Sequence, residues 1–170
     1  MTTVTAFRFS VQVTVASAMF AVIAGICGAS LSYAGEKRSD AGEHVYVPTI
    51  QEEKKLPDGA TVLELTAKGV LTTDDKAGPF NNNQTRCAGT IVISPDGKTV
   101  VARGYCSGVA PTGDYWWSAW RNLPAEKGFQ FIGGTGRFAG ITGGGNFTPQ
   151  ATAVGSGPAI DRLTWQSETK

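Results

Sequence analysis

The chain of 170 residues is poor in the side chains that most chemistry requires: one histidine, three cysteines, and 17% charged residues split almost evenly, 15 Lys and Arg against 14 Asp and Glu. A formal charge of +1 gives no electrostatic basis for holding nucleic acid or an anionic membrane surface, which takes a basic excess or stripe. The single histidine, His44, lies in a polar stretch, so Ser-His-Asp and Cys-His catalysis lack a well-placed base. Structural zinc needs four Cys or His ligands, and beyond residue 34 the chain has three, His44, Cys87 and Cys106, so neither a metal nor a cofactor is expected. Low hydrophobicity, the mark of disorder, is absent as well, since 41% of residues are hydrophobic.

What is abundant is glycine, 22 residues or about twice ordinary usage. Joined to an apolar chain without a convincing helical pattern, it points to many short strands linked by tight turns. Residues 1–34 stand apart. They hold one charge, Arg8, then an apolar run from Val11 to Leu31 and the small-residue ending Ser32-Tyr-Ala. These are the parts of a secretory signal peptide cut between Ala34 and Gly35, with an uncleaved membrane anchor as the alternative. Ile26 before Cys27 argues against a lipoprotein site. The expected location is secreted or periplasmic, with no membrane attachment after cleavage. The remaining cysteines, Cys87 and Cys106, are an even number sent to an oxidising compartment, which suggests a disulfide.

Residues 35–58 are polar and charged and read as a flexible lead-in, with one short strand at His44-Val-Tyr-Val. The globular domain is expected over 59–170. Its clearest local signal is a pair of β-branched runs, Cys87–Ser94 and Thr99–Cys106, around the turn Pro95-Asp-Gly-Lys. A loop of two or four residues sets Cys87 opposite Cys106 and Ile91 opposite Ala102, with both sulfurs on one face. A loop of three sends Cys106 to the other face unless a bulge intervenes.

Asp114-Tyr-Trp-Trp-Ser-Ala-Trp reads as a strand between Gly113 and Pro124, with Tyr115, Trp117 and Ala119 on one face and Trp116, Ser118 and Trp120 on the other. Gly128–Ile132, Phe138–Ile141, Asn146–Val154 and Ile160–Gln166 are further strand candidates. Seven to nine strands in so short a domain mean a sandwich or a small closed barrel.

Gly134-x-Gly136-x-x-Ala139 follows a strand and superficially matches the dinucleotide fingerprint. The fingerprint needs a helix next, and Gly143-Gly-Gly with Pro149 forbids one. The segment Gly133-Gly-Thr-Gly-Arg-Phe-Ala-Gly-Ile-Thr-Gly-Gly-Gly instead resembles the GGTGxFxGxxGxG step of the allene oxide cyclase and dirigent-type barrels, a likeness extending over about residues 59–168. The resemblance implies an antiparallel eight-stranded, calycin-like barrel with a central cavity, often a trimer. Plant members isomerise or couple lipid-derived or phenolic intermediates. Their catalytic residues lie outside the matching segment, so the activity does not transfer with the fold.

Three functions follow as expectations. The first is a barrel holding a small apolar or aromatic ligand, with Tyr115, Trp116, Trp117 and Trp120 for contact and Glu64, Arg103 and Tyr105 for orientation. The second is a cofactor-independent isomerase or cyclase, with Glu64 as a cavity acid beside Arg103 or Arg86. The third is a scaffold whose aromatics and strand edges join protomers into a dimer or trimer. Solvent exposure of the Glu64 face, and core or inter-subunit packing of the aromatics, are the plainer alternatives. Asn83-Gln-Thr and Asn146-Phe-Thr match the glycosylation acceptor of a eukaryotic secretory pathway.

Overall fold

The structure, a computed structural model, describes residues 35–151 and 157–169, and the leader with its Ala34–Gly35 junction lies outside them. Eight antiparallel strands close into a barrel in sequence order: β1 (Lys37–Lys55), β2 (Thr61–Thr73), β3 (Asn83–Ile93), β4 (Val100–Val109), β5 (Tyr115–Leu123), β6 (Glu126–Gly134), β7 (Thr142–Ala151) and β8 (Ala159–Glu168). β8 returns to β1, which closes the sheet on itself.

Residues 35–58, expected as a flexible lead-in, are mostly one long strand of the barrel. Residues 37–55 form β1, which pairs with β8 from Lys37 to Tyr46 and with β2 from Gly42 to Lys55. Its pattern misleads because its inward positions are polar or small, Gly42, His44, Tyr46 and Pro48, while Val45 and Val47 face solvent at 38% and 52% exposure. An apolar-in pattern is the usual strand signal, and this strand inverts it. Beyond Tyr46, β1 keeps only β2 as neighbour, while β2 stays paired with β3 as far as Thr61, and β1 and β2 join at the turn Leu56-Pro-Asp-Gly.

The β3–β4 hairpin has the even register. Cys87 pairs with Cys106, Ile91 with Ala102 and Ile93 with Val100, around a four-residue loop Pro95–Lys98 closed by Ser94 N–H to Thr99 O at 2.9 Å. Gly97 takes φ of 69°, a conformation open to glycine at little cost. The two sulfurs are bonded, with Cα atoms 4.0 Å apart.

One end of the barrel is filled. The β2–β3 loop carries Phe80 inward, and the β6–β7 connection forms a 3-10 turn, Gly136–Phe138, that carries Phe138 inward. Phe138–Ile141, expected as a strand, is thus a turn. Both flanking glycines Gly136 and Gly140 have positive φ, which breaks the extended run. Phe80 sits at the centre of the plug, its ring 5.0–6.0 Å from those of Phe138, Phe131, Trp165 and Trp116. Burial at 1–2% exposure is worth about 1.5–3 kcal/mol for each of these two phenylalanines.

Candidate functional site

Alternation along each strand decides what reaches the interior. Odd positions of β2, β3 and β8 and even positions of β1, β4 and β5 point inward, enclosing a cavity of about 320 Å³ behind the aromatic plug. Trp116, Trp120, Phe129, Phe147 and Trp165 supply its aromatic surface, and the Cys87–Cys106 disulfide forms part of its wall. Trp120 fits because it faces glycine. A Cβ at Gly104 would lie 2.6 Å from its Cζ2 and one at Gly89 2.5 Å, so side chains there would displace the indole.

A polar group stands on the wall made by β1, β8 and β3. His44 and Asp161 are direct partners across β1 and β8, and the Tyr46 hydroxyl donates to the Asp161 carboxylate. The ring of His44 stacks on that of Tyr46 with centroids 4.7 Å apart. Its Nε2 meets Thr85 Oγ1 at 2.7 Å, reaching over β2 at Gly69, which is paired with both Tyr46 and Thr85. Gly69 must lack a side chain, since a Cβ there would lie 2.7 Å from Tyr46 Cβ.

Burial sets the protonation of this group. It lowers the pKa of His44 to about 4, so the imidazole is neutral at physiological pH. It raises the Asp161 carboxyl above the ordinary carboxylate range, against the opposing hydrogen bond from Tyr46. The Tyr46 phenol is pushed well above its usual value by burial and by the neighbouring Asp161.

Of the residues expected to bind ligand, the structure brings only Trp116 and Trp120 to the cavity. Glu64, Arg103 and Tyr105 lie on the outer face, lining a broad external groove with Thr66, Thr90 and Gln130, and Tyr105 is 65% exposed. Tyr115 and Trp117 also point outward, stacked at 6.4 Å and 44% and 39% exposed. Arg86 is exposed as well. The reason is one of parity: the strand pattern at Val62–Ala67 fixes alternation but not which set is inside, and Leu65 and Ala67 are inside.

His44, Tyr46, Thr85 and Asp161 were missed. Asp161 carried a usable signal, since it shares a face with Ala159, Leu163 and Trp165. His44 and Tyr46 carried none, because their strand looked solvated. Asn83 of the first glycosylation match is fully buried, its Oδ1 accepting from Trp116 Nε1 at 2.8 Å. Among the described residues no three potential metal ligands cluster, and no helix is long and apolar enough to cross a membrane.

No family model matches the chain, and no curated protein matches it. Solved structures do. The pterocarpan synthase dirigent protein GePTS1 aligns at 18% identity over 79% of this chain and 91% of its own, with a TM-score of 0.50. The pterocarpan synthase dirigent protein PsPTS1 aligns at 14% identity over 81% of this chain and 99% of its own, with a TM-score of 0.52. Together with the closed eight-stranded topology, these alignments make the fold of this chain that of the dirigent-type barrels.

Proposed function

We propose that the chain is an exported barrel protein that holds a small, mainly apolar or aromatic molecule inside the barrel. The cavity carries this reading. Its volume of about 320 Å³ falls at the lower end of small-molecule sites, which measure about 300–1,000 Å³. Its surface combines aromatic rings with a few convergent polar groups, the arrangement that gives a ligand both affinity and orientation. The disulfide is compatible with export to an oxidising compartment. Three of the four tryptophans, Trp116, Trp120 and Trp165, line the cavity, so intrinsic fluorescence is a direct reporter. Titration with a panel of aromatic and terpenoid-like compounds is expected to quench or shift the emission saturably. Unchanged emission across the whole panel would refute the reading.

A second reading, a cofactor-independent isomerase or cyclase, is favoured by the Tyr46–Asp161 pair beside a neutral His44. Asp161 would take a proton from one atom of the bound substrate and return it to another, with Tyr46 holding the carboxylate and His44 orienting the substrate. Deuterium uptake from heavy water into a bound compound, lost in Asp161→Asn with binding retained, tests it. Uptake that is the same in Asp161→Asn sinks it. Assembly of copies through the exposed Tyr105, Tyr115, Trp117 and Ile132 side of the wall is compatible with either reading, and light scattering distinguishes a monomer from a dimer or trimer.

A further inference from the structure

The cavity holds one carboxylate and no cation. Among the described residues lining it there is no lysine or arginine, and Asp161 is the only acidic side chain. Among the described residues Asp161 is in no salt bridge, and the aspartates and arginines that form them sit outside this space. Its one side-chain hydrogen bond comes from the Tyr46 hydroxyl. A carboxylate has about four lone-pair sites, so most of its accepting capacity is unused. His44, the cross-strand partner of Asp161, is directed to Thr85 instead. The rest of the cavity lining is mainly aromatic and aliphatic, with Trp116, Trp120, Phe129 and Phe147 among it.

Asp161 is half-buried, and a carboxylate partly withdrawn from water without a counter-charge carries a cost that a ligand bringing the counter-charge relieves. Aromatic faces attract an organic cation and also accept its hydrocarbon body. An anionic ligand meets the opposite situation, with a like charge and no basic side chain to receive it. From this arrangement we infer that the cavity selects a hydrophobic amine, with the protonated nitrogen on the Asp161 carboxylate and the body against the aromatic wall. The inference rests on the ligand-holding reading above and names the chemical class that this site takes.

Three compounds of nearly equal size test it: 2-phenylethylamine, 2-phenylethanol and 3-phenylpropanoate, each titrated calorimetrically into the mature protein near neutral pH. The amine is expected to bind at least about tenfold more tightly than the alcohol, and the carboxylate to give no measurable binding. Asp161→Asn is expected to bring the amine down to the affinity of the alcohol while leaving the alcohol within about threefold of its wild-type value. Tyr46→Phe, which frees one more acceptor site on Asp161, is expected to keep the preference for the amine, and it serves if Asp161→Asn does not fold. An alcohol or carboxylate that binds as tightly as the amine overturns the inference and leaves the cavity reading standing. So does an amine preference that survives in Asp161→Asn. Absence of binding by all three compounds removes this inference, and fluorescence that also stays flat across the wider panel removes the cavity reading with it.

Discussion

His44 on β1 and Thr85 on β3 are joined by a 2.7 Å contact that spans the strand between them. It is possible because β2 places Gly69, without a side chain, at the crossing point. The contact turns a histidine from an apparently solvated segment into part of an interior wall, and its burial leaves the ring neutral.

The first prediction follows from that protonation state. His44 has a pKa of about 4 in the folded chain against 6.5 for the free side chain. Between those values the unfolded chain binds a proton that the native chain does not. The stability present above about pH 6.5 is therefore lost as pH falls toward 4, by up to about 3 kcal/mol. Asp161 acts in the opposite sense: its raised pKa gives a contribution present at low pH and lost as pH rises through the folded value. Because the chain has one histidine, its imidazole resonances need no assignment by mutation. A folded-state NMR midpoint near 6.5 would contradict the prediction. In urea unfolding from pH 7 down to 4.5, His44→Gln is expected to remove most of the acid-side loss.

The hairpin and the β1 strand show what could be read from residues and what could not. Pro95-Asp-Gly-Lys between two β-branched runs prescribes a turn, and two of the three loop lengths open to it set Cys87 opposite Cys106, the register found. The split of Trp116, Ser118 and Trp120 from Tyr115 and Trp117 was legible too, since alternation is local. Which face is interior is a property of barrel closure. β1 places His44 and Tyr46 inside and Val45 and Val47 outside, so a rule that sends apolar residues inward gives the wrong answer there. Glu64 failed for the same reason, being flanked by inward Leu65 on a strand whose parity nothing local determines.

Removing the Cys87–Cys106 bond is the second prediction. The bridge closes a separation of 19 residues, for which loop entropy gives about 3 kcal/mol. The double variant Cys87→Ala, Cys106→Ala is expected to lose about that amount in chemical denaturation. It also enlarges the cavity, so an apolar ligand able to enter the added space should recover part of the loss. A loss below about 1 kcal/mol would show that register and packing hold the hairpin without the bond.

The third prediction concerns Gly104 and Trp120. A methyl group at Gly104 meets the Ala88 carbonyl oxygen first, then the indole Cζ2 at 2.6 Å and the Gly89 Cα at 2.7 Å, a side chain that can turn beside neighbouring backbone that cannot. Gly104→Ala is expected to destabilise by about 1–3 kcal/mol, as overpacking does, and to shift the tryptophan emission. Gly97→Ala, at positive φ but with open space around it, is expected to cost about 1 kcal/mol without altering the emission. Equal emission changes in the two variants would argue against the packing of Trp120 on the β3–β4 glycines.

The last prediction takes the group that holds the plug. Asn83 is fully buried and uses its whole side chain: Oδ1 accepts from Trp116 Nε1 at 2.8 Å, and Nδ2 donates to Pro79 O and Asn81 O at 3.1 Å. Those two carbonyls bracket Phe80, so the amide ties the plug-bearing loop to the aromatic wall. Asn83→Ala leaves one buried donor and two carbonyls unpaired and is expected to cost about 3 kcal/mol or more. Asn83→Asp separates accepting from donating. An ionised carboxylate still accepts from Trp116 but faces two carbonyls with nothing to give, whereas a protonated one donates to one of them. The Asp variant is therefore expected to be strongly destabilised at neutral pH and to regain stability relative to the wild type as pH falls, opposite in sign to the effect of His44. Urea unfolding of both chains at pH 7 and pH 5 measures the difference. A gap between wild type and Asn83→Asp that stays constant with pH would mean that the amide donor does not hold the Phe80 loop.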